Sequence, residues 1–148
     1  MVAADARRST VPSQSRYTTK EEAPIMPRVV HFDLTAQDPE RATKFYRDVF
    51  AWSFEKWSGP MEYWMANTGS DKQPGINGGL SRRQADQPAG TQTTIDVPSV
   101  DEFSAKVGKA GGKVVRPKNA IPGVGYFALC EDTEGNAFGI IQFDQNAK

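Results

Sequence analysis

One histidine occurs in the chain, two residues from an aspartate in a run that reads as a strand: Val29-Val30-His31-Phe32-Asp33-Leu34. Imidazole is the side chain best suited to taking and giving protons near neutral pH. Successive strand residues alternate between faces, so His31, Asp33 and Thr35 share one face while Val30, Phe32 and Leu34 share the other. His31 therefore reads as a general base or hydrogen-bond donor, with Asp33 or Tyr63 assisting. The plain alternative is a polar wall residue whose hydrogen bonds are already made. Asp96 holds a place in the second half close to that of Asp33, although aspartates at strand ends usually meet solvent or cap the backbone.

Aromatic residues crowd one stretch: Phe45, Tyr46, Phe50, Trp52, Phe54, Trp57, Tyr63 and Trp64 all fall within residues 45–64. Phe45 and Phe50 read as core or subunit interface. Tyr63 with Met65, or Trp64 on the alternate strand face, is expected to line a pocket that Tyr126 faces from the other side. Tyrosine and tryptophan make good walls for planar ligands. Cys130, between Leu129 and Glu131, has no neighbouring base and reads as a buried, inert thiol. No Gly-x-Ser-x-Gly elbow supports a serine hydrolase. Gly78-Gly79 and Gly123-Val124-Gly125 lack the strand–loop–helix setting of a phosphate loop. The first pair reads instead as backbone that a ligand or partner strand approaches closely.

The elements that must position these residues form a faint internal repeat. Each half runs strand, helix, glycine-rich turn, strand. Sliding one half onto the other places His31 on Gln92, Asp38 on Ser99 and Ala51 on Gly112. The pattern predicts strands over 29–34, 53–57, 62–67, 75–81, 91–97, 113–117, 124–130 and 137–143. Helices are expected over 38–50, opened by Asp38-Pro39-Glu40, and over 100–110. Ala42, Phe45, Tyr46 and Val49 should face the sheet from the first helix; Val100, Phe103, Val107 and Ala110 should do so from the second. Residues 82–90 read as a linker. The order β-α-β-β-β, twice, predicts an α+β fold: tandem βαβββ modules over about 27–82 and 91–145, forming a cupped mixed sheet with the helices outside.

The chain has 148 residues, enough for one domain, and equal numbers of basic and acidic side chains. Zero net charge leaves no electrostatic footprint for nucleic acid or an anionic membrane. No apolar run approaches the roughly 20 residues that span a bilayer. A lone cysteine cannot form an intrachain disulfide, which favours a reducing compartment and a cytoplasmic location. Residues 1–25 lack apolar periodicity and read as a disordered tail ahead of a single domain over 26–148. A start at Met26 would keep that domain whole.

The motifs carry a resemblance. His31-Phe32-Asp33-Leu34 with Asp38-Pro39-Glu40-Arg41-Ala42 and Phe45-Tyr46, then Gly78-Gly79-Leu80, are similar to the vicinal oxygen chelate superfamily. So are Ile95-Asp96-Val97, Ala110-Gly111-Gly112, Pro122-Gly123 and Asp132-Thr133-Glu134-Gly135-Asn136 with Phe138-Gly139. That superfamily includes glyoxalase I, bleomycin-resistance proteins and extradiol dioxygenases. Within it, the chain resembles small bacterial proteins related to lactoylglutathione lyase. The resemblance covers about residues 27–145. It implies metal-ligand positions at His31, Asn77 or Gly79, Gln92 and Gly139. Only His31 supplies a strong donor, and no carboxylate occupies any of the four, a poor set for a divalent cation. No cofactor is therefore expected. Asn77, Gln92, Thr94, Trp64 and Tyr126 are expected ligand contacts, and His31, Asp33 and Tyr63 the candidate catalytic groups. The expected activity is metal-independent isomerase or lyase chemistry on a small organic molecule, by a homodimer. Two other readings stand beside it. One is a binding protein that sequesters a drug or metabolite, as bleomycin-resistance members do. The other is a metal-dependent glyoxalase or dioxygenase with an unusual ligand set.

Overall fold

Alternation in the first strand orients everything that follows. The computed structural model describes residues 26–148; the expected tail at 1–25 lies outside the described residues. The elements are β1 (Val29–Ala36), α1 (Pro39–Phe50), β2 (Ser53–Lys56), β3 (Tyr63–Asn67), β4 (Gly78–Arg82), β5 (Thr91–Asp96), α2 (Val100–Lys109), β6 (Lys113–Ile121), β7 (Gly125–Glu131) and β8 (Ala137–Phe143). This is β-α-β-β-β twice. All strands join one open sheet in the order β2-β3-β4-β1-β5-β8-β7-β6.

The two modules pair alike. In each, the first strand runs parallel to the last, β1 beside β4 and β5 beside β8. The modules meet where β1 and β5 run antiparallel, His31 opposite Thr94 and Asp33 opposite Gln92. Phe32 and Thr93 pair across the same seam and define the other face. Both helices lie on the Phe32 side, which leaves the His31 side free.

The helix ends follow local chemistry. Asp38 accepts a hydrogen bond from the Arg41 N–H at 3.1 Å, and Pro39 takes the first helical turn of α1. Ser99 does the same for Glu102 at 3.1 Å to open α2. α2 covers a compact cluster of Val97, Val100, Ala128, Cys130 and Ile140, flanked by Ile95, Phe103, Val107, Tyr126 and Phe138. Full burial of one such aliphatic side chain contributes about 1.5–3 kcal/mol. Cys130 is buried and burial raises its thiol pKa, so the inert-thiol reading fits.

α1 sits differently from the expected stripe. Pro39 and Thr43 are its buried residues, while Phe45 and Val49 are 54% and 55% exposed and Phe50 is 54% exposed. The helix instead meets the sheet through Tyr46, whose ring stacks on Trp52 at 5.0 Å, and Trp52 in turn leans on Phe32 at 5.8 Å. That stack turns Phe45 and Val49 outward. In α2, Val100, Phe103 and Val107 face inward as expected, but Ala110 is exposed.

Several expected boundaries move, two of them by three residues or more. β4 begins at Gly78 rather than at residue 75, because Gly75 takes φ +154° and Asn77 is tied to the preceding turn. β6 runs on to Ile121, with register shifts on both sides of Arg116; Pro117 is tolerated there because β6 is an edge strand. The residue matching Ala51 in conformation is Gly111, not Gly112: Ala51 has φ +60° and Gly111 φ +97°. Among the described residues, no helix is long and apolar enough to cross a membrane.

Candidate functional site

Three of the expected residues converge on the free face. β1 presents His31 and Asp33 there. Gly79 of β4 pairs with Asp33 on one side and with Met65 of β3 on the other. Tyr63 lies two residues before Met65, so its ring reaches diagonally across Gly79. A Cβ at Gly79 would fall 1.7 Å from the Tyr63 hydroxyl oxygen. Glycine is needed there because the phenol occupies the space of any side chain.

The Tyr63 hydroxyl donates to Asp33 Oδ1 at 2.6 Å and stands 2.8 Å from His31 Nε2. His31 Nε2 and Asp33 Oδ1 are 3.4 Å apart. Both side chains are about one-third exposed or less, open enough to meet a ligand and covered enough to hold their geometry. Burial, then the Asp33 charge and the bond to it, push the Tyr63 phenol pKa far above its ordinary value. Tyr63 therefore keeps its proton at any working pH.

The second module repeats this arrangement with different atoms. Gly139 of β8 pairs with Thr94 and with Leu129 of β7. Phe127 lies two residues before Leu129, and its ring covers Gly139, 2.4 Å from where a Cβ would be. By strand position Phe127 matches Tyr63, Thr94 matches Asp33 and Gln92 matches His31. Phe127 was not among the expected site residues. The parity of β7 carries the signal: small apolar Ala128 and Cys130 pack under α2, so the odd-numbered residues face the site.

The remaining expected contacts divide. Gln92 lies beside Asp33 on the free face. Thr94 lies beside His31 but is only 2% exposed; its hydroxyl has no hydrogen-bond partner among the described residues and is shut in next to the Phe127 ring. Asn77 precedes β4, and its amide oxygen accepts from the Thr68 N–H at 2.9 Å, away from the His31 group. Trp64 pairs with Leu80 on the helix-bearing face, under the Lys56 ammonium at 5.4 Å. Tyr126 packs against the α2 core. The expected pocket walls of Trp64 and Tyr126 are therefore on the wrong side of the sheet. One strand position separates each from the residue that faces the site. Among the described residues, no aromatic cup closes over the three side chains; they lie on an open face. Shallow grooves lie elsewhere, one at Gly123, Val124 and Phe143 and one at Asp38, Arg41 and Arg83. The close approach expected at Gly78-Gly79 is internal: the Phe32 ring fills the space at Gly78 and Tyr63 that at Gly79.

A family model described as the Glyoxalase/Bleomycin resistance protein/Dioxygenase superfamily matches residues 28–140. The chain belongs to that superfamily. Solved structures agree on the fold. Methylmalonyl-CoA epimerase from Mycobacterium tuberculosis matches with a TM-score of 0.59 at 11% identity, over 76% of this chain and 85% of that one. A Streptomyces coelicolor methylmalonyl-CoA epimerase in complex with 2-nitronate-propionyl-CoA matches with a TM-score of 0.60 at 13% identity, over 82% of this chain and 97% of that one. A hypothetical protein from Bacillus halodurans gives 0.60 at 13%, over 82% and 98%. At these identities the likeness is one of fold. No curated protein matches the chain in sequence.

The resemblance assigns metal-ligand positions to His31, Asn77 or Gly79, Gln92 and Gly139. This donor set does not fit a divalent cation. The two glycines bring no donor, and aromatic rings fill the space their side chains would need. Asn77 is engaged elsewhere, and the Tyr63 hydroxyl stands between His31 and Asp33. Among the described residues, no three His, Cys, Asp or Glu side chains converge.

Proposed function

We propose that this glyoxalase-superfamily chain binds a small organic molecule on the free face of its sheet and moves a proton on it without a metal. The observation that carries this reading is the chain of contacts from His31 through Tyr63 to Asp33, at 2.8 and 2.6 Å. The half-buried Asp33 carboxylate, reached through Tyr63, stabilises positive charge that develops on the His31 imidazole as it takes a proton. The reaction class is proton abstraction from carbon beside a carbonyl. His31 takes the proton, and the C–H electron pair moves toward the carbonyl oxygen. Return of the proton to carbon completes an isomerisation; departure of a leaving group from the next carbon completes an elimination.

The neighbouring half of the face favours an apolar group on the ligand. Phe127, Leu129 and Ile141 lie there, and Gln92 offers an amide beside Asp33. Methylmalonyl-CoA epimerases share the fold, so methylmalonyl-CoA is one compound to try first.

The test is deuterium exchange. The protein is incubated in D2O, with chelator present, with methylmalonyl-CoA and with simple 2-substituted keto acids, esters and thioesters. Proton NMR then follows the C–H signal. The expected result is enzyme-dependent loss of that signal for at least one compound, unaffected by chelator and slowed about 10²–10⁴-fold in His31→Asn. Exchange that stops with chelator would return the metal reading. Binding without exchange, equal in wild type and His31→Asn, would leave a sequestering protein instead.

A further inference from the structure

We propose that Tyr63 is a positioning residue that holds His31 with its proton on Nε2, so that Nδ1 is the nitrogen presented to the ligand. The inference rests on the proton-transfer reading, yet it can be tested without any ligand.

The argument counts protons. An ionised carboxylate only accepts hydrogen bonds. The 2.6 Å contact between Tyr63 and Asp33 therefore uses the phenolic proton. What the Tyr63 oxygen then offers His31 is a lone pair. A contact of 2.8 Å to Nε2 needs a hydrogen between the two atoms, and only the imidazole can supply it. Neutral imidazole carries one N–H. Placing it on Nε2 leaves the Nδ1 lone pair free. The direct alternative, Nε2–H to Asp33, is poorer at 3.4 Å.

Tyr63 is fixed firmly enough to set this state. Its ring lies over Gly79, where a Cβ would collide, and the Trp57 ring packs edge-on at 6.2 Å. Its backbone carbonyl accepts from the Trp57 N–H at 2.8 Å. The matching residue in the second module, Phe127, has no hydroxyl and faces no titratable partner. The device therefore belongs to the first module alone.

The single histidine makes the test unambiguous. Protein labelled with ¹⁵N in histidine shows one pair of ring nitrogens. With neutral imidazole, the expected spectrum has a protonated, slowly exchanging Nε2 and an unprotonated Nδ1. In Tyr63→Phe the slow Nε2–H signal is lost and the two nitrogens move toward averaged positions. A wild-type spectrum with the proton on Nδ1 would overturn the proposal. So would a Tyr63→Phe spectrum identical to wild type. The wild-type measurement needs no variant, so a folding defect in Tyr63→Phe does not protect the idea. The two readings also fail separately. The predicted tautomer without deuterium exchange on any ligand leaves the positioning intact and removes the enzyme. Exchange with the opposite tautomer removes only the positioning role.

Discussion

Thr94 is the residue whose state is least comfortable. It is 2% exposed, and its hydroxyl lacks a partner among the described residues. Leaving a buried hydroxyl unbonded costs about 1–3 kcal/mol. Thr94→Val removes the orphan while keeping the branched shape that suits a central strand. Urea unfolding is expected to show a gain of about 1 kcal/mol; a loss would mean the hydroxyl has a partner after all. His31 and Asp33 are legible because strict alternation separates them from Val30, Phe32 and Leu34, and Tyr63 is legible as a phenol on a later strand, which the fold sets two strands from β1. Trp64, the alternate-face choice to Tyr63 and Met65, and Tyr126 both lie on the helix-bearing face, which residue type alone does not reveal. Ala66 and Leu80 beside Trp64, and Ala128 and Cys130 beside Tyr126, are the small or apolar residues that mark the covered face. Thr94 is an expected ligand contact, and its burial next to Phe127 depends on a ring that sequence spacing does not position.

Among the elements, the order and number of strands and helices followed from periodicity and from the caps at Asp38 and Ser99. What periodicity could not give was how far each helix is rotated. The Tyr46–Trp52 stack, a contact between a helix and the residue just before the next strand, decides that for α1. The end of α1 holds a testable strain. Ala51 adopts φ +60°, where a Cβ costs about 1–2 kcal/mol that glycine avoids. Glycine loses about 0.4–1 kcal/mol through the looser unfolded chain. Ala51→Gly is therefore expected to stabilise the protein by roughly 0.5–1 kcal/mol, read from the denaturant midpoint. A midpoint below wild type would show that the Ala51 methyl makes contacts worth more than the strain.

At the scale of the whole molecule, the outward turn of α1 leaves Phe45, Val49 and Phe50 each more than half exposed on one helix. Single exposed apolar residues are ordinary, but a run of them on one element marks a contact surface. The expected homodimer would cover it. Sedimentation should then give a dimer at micromolar concentration for wild type and a monomer with unchanged far-ultraviolet circular dichroism for Phe50→Asp. A monomeric wild type would sink the proposal.

Two glycines under two rings have a further consequence, for descent rather than for mechanism. A carboxylate introduced at Gly79 or Gly139 collides with Tyr63 or Phe127. Removing the ring first gives up the packing of a part-buried aromatic side chain, a cost of about 1–3 kcal/mol from the small margin of a domain of this size. Neither single step is easy, so a ring and a carboxylate exchange at these places only through paired substitutions. Drift at either position alone leads to an unstable chain before it leads to a new chemistry.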